Sequence, residues 1–504
     1  MIVLDGSSLS LDDLVAIAYD VTEVTLAPAA RARVSAARDV VDAFAQRDTP
    51  TYGINTGFGD FAEVKVAADS LRRLQINLLR SHAAGVGEPL SIPVVRATMA
   101  LRANVLAKGY SGVRVETLEL LLAFLNRRVH PVVPSRGSVG ASGDLAPLAH
   151  LSLVLIGEGD AWFDGRRMAG GDALRAAGLS PLVLEAKEGL ALINGTQAST
   201  ALLGLALAAA ERLARAADIA AALSIDGLQG STRPFDPRIH DARGLAGQIA
   251  SADNLRRLLA DSAINLSHAN CGRVQDAYSM RCAAQVHGAA REAFRYAHQV
   301  FDAEANAATD NPMVFADTGE IISGGNFHGA PVAVAADVLC LGLAQLATIS
   351  ERRSDRLVNP ASSGLPAFLT RDGGLQSGLM MAQVTAAALT SELKTTAHPS
   401  SVDTIPTSGN REDHVSMSMA AALKAFAAVE LGAQVVAIEL LCAAQAHDLL
   451  RPLVSSPPLA RVHARLRERV PTLDDDRPPS RDIASITELI ASGDLERACA
   501  LKVN

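Results

Sequence analysis

The chain carries the sequence GSVGASGDLAPLAH at residues 137–150, and this stretch decides how the rest of the protein is interpreted. At its centre lie three small residues in a row, Ala141, Ser142 and Gly143. Because glycine adds no side-chain clash and tolerates unusual dihedral angles, the Gly143 amide nitrogen can approach the Ala141 carbonyl carbon. Attack would close a five-membered ring, and loss of water from the ring and from Ser142 would leave an electrophilic methylidene-imidazolone. An isolated Ala-Ser-Gly is nearly always a plain turn, so the surrounding sequence has to decide between the two.

A nucleophilic serine is the competing interpretation of this stretch. A serine on a strand-to-helix elbow requires Gly-x-Ser-x-Gly. Ser142 has Gly140 two residues before it, but Asp144 stands where the second glycine is required. Ser138 lacks the first glycine, because Arg136 occupies that position. The sequence therefore disfavours a serine hydrolase.

The composition predicts a helical protein. The chain has 504 residues, of which aromatic residues are only 4%, and alanine and leucine are abundant. This length suggests two or more domains or one large helical body, and alanine-rich segments favour helices. We predict a mainly α fold in which residues 201–504 form a large bundle of long parallel and antiparallel helices. A smaller mixed region at residues 1–200 would carry the loops of the functional site.

Several classes of partner are disfavoured by the charge and motif content. The net charge is −8 and the sequence has no long basic run, so nucleic acid is not expected as a partner. The N-terminus lacks a secretory pattern, and charges interrupt the apolar runs, so no membrane association is predicted. Five cysteines without a CxxC pair suggest reduced thiols in the cytoplasm. Without His-Glu-x-x-His or paired-cysteine spacing, no metal site is predicted.

Two further segments place polar residues where chemistry is possible. Residues 51–60 contain three glycines that follow Tyr52 closely, and because glycines interrupt helices and strands, this segment is predicted to be a loop. Such a loop is mobile enough to close over a pocket. The plain alternative is a surface loop with a partly packed tyrosine. Asn194 lies between Ile193 and Gly195 in an apolar run, where a buried amide needs a partner from the backbone or from a ligand.

Three other segments have both a functional and a structural interpretation. The sequence RVQDAYSMRC at 273–282 would place Gln275, Tyr278 and Arg281 on one helix face, where a guanidinium can bind a carboxylate through two hydrogen bonds. The alternative is an ordinary exposed polar face. His82, near the end of a predicted helix, is by itself more typical of a structural histidine. Phe327 in a glycine-rich loop is either a contact of the site or a core anchor.

Taken together, these motifs resemble the signature segments of the aromatic amino acid ammonia-lyases, whose members act on histidine, phenylalanine or tyrosine. The resemblance extends from about Tyr52 to about His414. It implies that Ala141, Ser142 and Gly143 form 4-methylidene-imidazol-5-one autocatalytically and that no external cofactor is needed. It also implies that the reaction eliminates ammonia from a small-molecule amino acid, with Tyr52 as the base that removes the β-proton.

The resemblance is closest to the members that act on histidine. Ser81 and His82 match those members, and Glu412 matches a carboxylate that, with His82, would hold the imidazole ring. The implied product is trans-urocanate, in the first step of histidine degradation. Two departures resemble some tyrosine-acting members: Ala277 replaces a common proline, and alanines at 283–284 replace a common Gln-Pro. A tyrosine- or phenylalanine-acting lyase, or an aminomutase with the same electrophile, therefore stays open as an alternative.

The resemblance also assigns the remaining candidate residues. Arg281 would bind the substrate carboxylate, with Asn194 and Gln275 in support. Tyr278 would polarise the electrophile or relay protons, and Phe327 would contact the ring system. Because the family is tetrameric with active sites built from several subunits, we expect a homotetramer. An inactive member serving as a binding protein is the less favoured alternative, since every expected position is filled.

Overall fold

The computed structural model describes residues 1–47, 49–57, 63–269 and 271–504. The segment predicted to be a loop around Tyr52 consists of turns up to Asn55 and ends its described part at Gly57. The rest of that prediction, residues 58–60, lies outside the described residues. Within the described part, Thr56 makes an isolated antiparallel bridge to Lys65.

The chain divides into two compact units. The first unit comprises residues 1–208, 298–337 and 399–423, and the second comprises 209–297, 338–398 and 424–504. This division differs from the predicted single boundary near residue 200, because two later segments return to the first unit. Four of the five changes of unit fall inside long helices, where a continuous helical pattern carries no boundary signal. These helices are Gln197–Gly227, Ala283–Ala305, Ala330–Val358 and Ser418–Leu449.

The first unit mixes helices with small sheets. Its N-terminal helix starts with a capping box, in which the Ser10 hydroxyl accepts the Asp13 N–H at 3.1 Å and the Asp13 carboxylate accepts the Ser10 N–H. The following helix starts at Pro28, whose missing N–H is no loss in a first turn. The main helices are Leu11–Tyr19, Pro28–Ala45, Leu71–His82, Ile92–Ala107, Val115–Arg127, Leu145–Leu155, Gly170–Ala176 and Glu188–Ile193.

All strands of the described residues belong to the first unit and form four small sheets. The strands Asp160–Phe163 and Arg166–Ala169 form a hairpin that turns at Asp164 and Gly165, whose φ angles of 47° and 71° suit a two-residue hairpin turn. The strands pair as Ile2–Leu4 with Val24–Leu26 (parallel), and antiparallel as Val86–Pro89 with Pro134–Arg136, His130–Pro131 with Asp160–Phe163, Asp160–Phe163 with Arg166–Ala169, and Met313–Phe315 with Glu320–Ile322.

The second unit contains helices and no strand among its described residues. Many of its buried positions are alanines, such as Ala217, Ala221 and Ala437, and such small side chains let helices approach closely. The prediction of a mainly α fold with a mixed N-terminal region is therefore confirmed. Besides parts of the long helices, the unit includes Pro237–Asp241, Ala246–Leu258, Ala263–Leu266, Tyr278–Arg281, Pro360–Ser363, Met380–Thr396, Pro457–Arg469, Pro479–Ala491 and Asp494–Cys499.

Two helices, Ala330–Val358 and Ser418–Leu449, are long and apolar enough to cross a membrane by length and composition. Their most apolar windows are 67% and 72% buried within the protein. Core helices pass the same test of length and composition, and burial of this extent is what such helices show.

Candidate active site

Residues 137–144, which contain the Ala-Ser-Gly tripeptide, form a loop between the strand Pro134–Arg136 and the helix Leu145–Leu155. Gly143 has a φ of +74°, and a Cβ added there would lie 2.3 Å from the Gly195 carbonyl oxygen. Only glycine fits both this conformation and this approach. The next residue, Asp144, donates its backbone N–H to the same Gly195 oxygen at 2.7 Å. One end of the Ala-Ser-Gly tripeptide is therefore fixed against the segment around Gly195.

The other end of the tripeptide is fixed by residues far along the chain. The Gly140 carbonyl accepts the Ser416 hydroxyl at 2.8 Å and the Gly329 N–H at 3.2 Å. The Val139 carbonyl accepts the Met417 N–H at 2.8 Å. Since both ends are anchored, the three residues between them are confined to one backbone arrangement. Such confinement fits a group that forms by ring closure within the backbone.

Asp144 anchors the loop from inside the unit. Its fully buried carboxylate accepts the Ser199 N–H at 2.7 Å, the Ser199 hydroxyl at 2.8 Å and the Ser138 hydroxyl at 2.9 Å. Burial raises the pKa of the Asp144 carboxyl, although these hydrogen bonds act in the opposite direction. The residues around the tripeptide thus fit the methylidene-imidazolone that the sequence predicts.

A cavity of about 510 Å³ opens beside the tripeptide within the first unit. Its volume lies in the range of sites for small molecules. Leu78, Leu145 and Leu190 contribute apolar walls. The candidate residues that line it are Tyr52, His82, Ala141, Ser142, Asn194, Phe327 and Glu412. The fold therefore brings together residues that are up to 360 positions apart in the sequence (52 to 412).

The Glu412 carboxylate lies directly against the tripeptide. The Ser142 hydroxyl donates to Glu412 Oε1 at 2.6 Å. The other carboxylate oxygen, Oε2, accepts the Thr407 hydroxyl at 2.6 Å and the Ser408 hydroxyl at 3.0 Å. Thr407 and Ser408 were not predicted as site residues, although their position just before Glu412 in the sequence is a signal that could have identified them.

His82 is held as a neutral ring with a defined tautomer. Its Nδ1–H donates to the Leu78 carbonyl at 2.9 Å, so the lone pair is on Nε2. Burial lowers the pKa of His82 below its ordinary value of 6.5, while the Leu78 carbonyl and the Glu412 charge act in the opposite direction. The ring therefore offers a hydrogen-bond acceptor near neutral pH.

Asn194 presents an unsatisfied oxygen. Its Nδ2 donates to the Asn311 carbonyl at 2.9 Å, whereas its buried Oδ1 has no hydrogen-bond partner among the described residues. A buried carbonyl oxygen without a donor is costly unless a ligand supplies one. The backbone oxygen of Asn194 accepts Arg102 Nη1 at 2.9 Å, and Arg102 also donates to Gln197 at 2.7 Å. Arg102 was missed, although an arginine within an apolar helix was the available signal.

Tyr52 and Phe327, each of which had a functional and a structural interpretation, both lie at the cavity. Both side chains are partly buried and both line the cavity. Phe327 thus contributes to the wall of the site rather than to a separate core. The neighbouring His328 stacks on His414, with ring centroids 5.9 Å apart, and both of these rings also line the cavity.

Gln275, Tyr278 and Arg281 belong to the second unit and are not among the residues that line this cavity. The prediction that they share one helix is wrong, because the helix begins at Tyr278 and Gln275 lies in the preceding loop. The loop persists because the Asp276 carboxylate accepts the Ser231 N–H at 2.7 Å.

These three residues form an accessible polar surface of the second unit. Tyr278 is 71% exposed, and the Arg281 guanidinium lies 4.6 Å from the centre of its ring. Gln275 and Arg281 line an open depression, and Arg281 Nε is buried without a hydrogen-bond partner among the described residues. A guanidinium with an unused donor is suited to binding an anion.

Comparison with known proteins places this geometry in a family. The model of the aromatic amino acid lyases matches residues 9–468. The histidine ammonia-lyase of Anaeromyxobacter sp. (strain K) is 58% identical, over 98% of this chain and 99% of that protein. Among solved structures, the histidine ammonia-lyase from Trypanosoma cruzi is 44% identical with a TM-score of 0.93, and the match covers 99% of this chain and 95% of that one.

A second solved structure carries a different name. The tyrosine aminomutase from Streptomyces globisporus is 36% identical, with a TM-score of 0.95 and a match that covers 100% of both chains. The fold is therefore shared by proteins that are named for different reactions. The family model and the full-length relatives agree on the wider group, and the chain belongs to the aromatic amino acid lyase family.

Proposed function

We propose that this chain eliminates ammonia from L-histidine without oxidation and releases trans-urocanate. The observation that carries the proposal is the Ser142 hydroxyl at 2.6 Å from Glu412 Oε1 in a cavity that His82 also lines. The precursor of an electrophile and two polar partners for a nitrogenous substrate thus share one site. The relatives named histidine ammonia-lyase support the same substrate.

The electrophile is part of the proposal. Ala141, Ser142 and Gly143 would form 4-methylidene-imidazol-5-one without an external cofactor. The group would supply an electrophilic carbon that takes up the substrate amine and makes ammonia a better leaving group. The anchored loop ends and the φ of +74° at Gly143 support ring closure at this position.

The side chains of the cavity would bind and orient the substrate. His82, neutral and with its lone pair on Nε2, would accept an N–H of the imidazole ring. Leu78 and Leu190 would pack on the ring and exclude water. Glu412 would provide a carboxylate for a positively charged or N–H group of the substrate. Seating the ring in this way would orient the β-carbon for loss of its proton.

The remaining cavity residues would serve the proton transfer and the polar end of the substrate. Tyr52 would accept the β-proton as a phenolate. Asn194 Oδ1, which has no partner among the described residues, would accept a hydrogen bond from the substrate or from the cyclised group. Phe327 would contact the ring system from the cavity wall.

We also infer that the working enzyme is a homotetramer of the cytoplasm in which a second copy completes each site. Gln275, Tyr278 and Arg281 are accessible on the second unit, and Arg281 would there bind the carboxylate of a substrate held by another copy. Five cysteines without a CxxC pair suit a reducing compartment. Light scattering should give four times the chain mass, and a monomer at working concentration would contradict this.

Subunit complementation tests the shared site more sharply. Ser142→Ala and Arg281→Met should each be inactive alone. Co-expressed, they should recover a fraction of the activity, because some sites would combine an intact tripeptide with an intact Arg281. Ser142→Ala co-expressed with Gly143→Ala is the matched control and should recover nothing, since both changes affect the same tripeptide.

The substrate is tested by an ultraviolet assay with L-histidine, L-tyrosine and L-phenylalanine in parallel. Urocanate from L-histidine alone is the expected result. Coumarate or cinnamate would overturn the substrate and keep the electrophile, and a β-amino acid product would indicate an aminomutase. The intact mass of the purified chain should be short by two water molecules, and a mass equal to that of the unmodified sequence would exclude the electrophile.

A further inference from the structure

The Glu412 carboxylate is held on both sides by hydroxyl groups. Oε2 accepts the Thr407 hydroxyl at 2.6 Å and the Ser408 hydroxyl at 3.0 Å. Oε1 accepts only one hydroxyl in the described residues, that of Ser142 at 2.6 Å. Two donors on one oxygen restrict rotation of the carboxylate, so the direction of Oε1 is set by Thr407 and Ser408.

The turn that carries these donors is strained. The backbones of Thr407 and Glu412 face each other through the Thr407 N–H to Glu412 oxygen bond at 3.0 Å and the reciprocal bond at 3.4 Å. Between them, Ser408, Gly409 and Asn410 have φ angles of 52°, 64° and 66°. Left-handed conformations at non-glycine residues persist only where surrounding contacts enforce them, and they often mark functional positions. Here the strained turn places two hydroxyls on one carboxylate oxygen.

Formation of the electrophile would change the surroundings of Oε1. In the proposed function, which this inference deepens, the Ser142 oxygen leaves as water, so Oε1 loses its donor. Oε1 would then lack a donor at the point where it now bonds the Ser142 hydroxyl at 2.6 Å, beside the cavity that both residues line. An N–H of a substrate bound in the cavity would be suited to replace that donor.

We propose that Thr407 and Ser408 are positioning residues that hold Glu412 so that Oε1 accepts an N–H of the substrate's amino group. Glu412 therefore serves the amine, and His82 serves the imidazole ring. This division separates the two ends of the substrate: a ligand with the ring but no amine depends on His82 and not on the Thr407–Glu412 contact.

The central variant is Thr407→Val, which keeps the shape and β-branching of the side chain and removes only the hydroxyl. Loss of a hydrogen bond to a carboxylate is expected to lower kcat for L-histidine by roughly 10- to 100-fold. Thr407→Ser restores the donor and should recover kcat to within about threefold of the wild type, on the same hydrogen-bond argument. Ser408→Ala should have a smaller effect than Thr407→Val, because its contact is longer.

Thr404→Val is the matched control. The Thr404 hydroxyl in the same segment accepts the Val415 backbone N–H at 2.8 Å and does not bond Glu412. This variant makes the same chemical change nearby and should keep the wild-type kcat. Binding of imidazole-4-propionate, which lacks the amine, is measured for each variant and should be unchanged in Thr407→Val.

The intact mass gives the fraction of chains that have formed the electrophile, because those chains are short by two water molecules. Dividing kcat by this fraction distinguishes a failure of the positioning role from a failure of the electrophile to form. A wild-type chain without that deficit would refute the electrophile itself. A Thr407→Val enzyme with normal kcat per matured chain would overturn the positioning role. Equal weakening of L-histidine and imidazole-4-propionate would overturn the assignment of Oε1 to the amine.

Discussion

Two groups of buried polar side chains, one in each unit, are satisfied in different ways. In the second unit, Glu439 binds Arg353, with Nη2 at 2.9 Å from Oε2, and accepts the Ser224 hydroxyl at 2.7 Å. Asp218 in the same unit binds His287 at 2.7 Å and Arg291 at 2.6 Å. Each carboxylate there is matched by donors of the protein. Among the described residues that line the cavity of the first unit, Asn194 instead has a buried oxygen that no protein donor satisfies.

This difference in hydrogen bonding distinguishes polar groups that stabilise the fold from polar groups that are available to bind a ligand. Asn194 Oδ1 is buried without a partner among the described residues, and Glu412 Oε1 bonds a hydroxyl that the proposed chemistry removes. A completed network rigidifies a core, whereas an incomplete one is costly until something binds. Substitution of Glu439 or Asp218 should therefore lower stability, and substitution of the cavity residues should lower activity.

The largest expected effect is that of Ser142→Ala. Without the hydroxyl, the electrophile cannot form, and kcat/KM should fall by roughly 10³-fold or more. The intact mass should lack the deficit of two water molecules expected for the wild type, while the far-ultraviolet circular dichroism and Tm should stay close to those of the wild type. Full activity in this variant would remove the tripeptide from the mechanism.

Glu439→Ala should affect stability rather than chemistry. It leaves the fully buried Arg353 without its carboxylate, and breaking one side of a buried ion pair costs about 3–5 kcal/mol. Chemical denaturation should show the loss, and kcat per folded chain should change little. The exposed glutamate Glu468, changed to alanine, is the control and should lose less than about 1 kcal/mol. Equal losses of unfolding free energy in Glu439→Ala and Glu468→Ala would contradict the stabilising role of the buried Glu439–Arg353 pair.

Asn194→Ala should show the opposite pattern. Removal of one preorganised polar contact in a site typically lowers kcat by about 10²–10³-fold. Stability should fall less than in Glu439→Ala, because the deleted amide also carries an unsatisfied oxygen. Steady-state kinetics and denaturation on the same preparation would check both values. A larger loss of stability in Asn194→Ala than in Glu439→Ala would contradict the interpretation of Asn194 as a ligand contact.

The smallest effect concerns pH. His82 has a pKa below its ordinary value of 6.5, chiefly because of burial, so it takes up a proton less readily than a free imidazole as the pH falls. Below 6.5 the unfolded state binds a proton that the native state resists, so the contribution of His82 to stability declines as the pH falls. Binding of L-histidine should weaken only at still lower pH, when protonation removes the Nε2 acceptor. His82→Gln keeps a hydrogen-bond acceptor that does not titrate, so the weakening of L-histidine binding at low pH should disappear. The same weakening in this variant would exclude His82 as the group responsible for it.

Composition was sufficient to predict the helical class. Some helix starts also have a local cause, such as Pro28 at the first position of the helix Pro28–Ala45. The pattern failed at Gln275, because a contact between Asp276 and Ser231, 45 positions apart, holds a loop where the spacing predicted a helix. The boundaries between the two units carry no local signal for a related reason, since four of the five lie inside unbroken helices.

By itself, the sequence determined the helical class, the Ala-Ser-Gly tripeptide and the set of candidate residues, because residue types and short spacings encode them. Only the tertiary structure decided which candidates meet. It placed Glu412 against Ser142, left Asn194 Oδ1 buried without a partner among the described residues, and bonded the buried Arg102 to the Asn194 backbone oxygen. Hydrogen bonds between residues 92 to 270 positions apart depend on how the whole chain packs, and no local pattern encodes such packing.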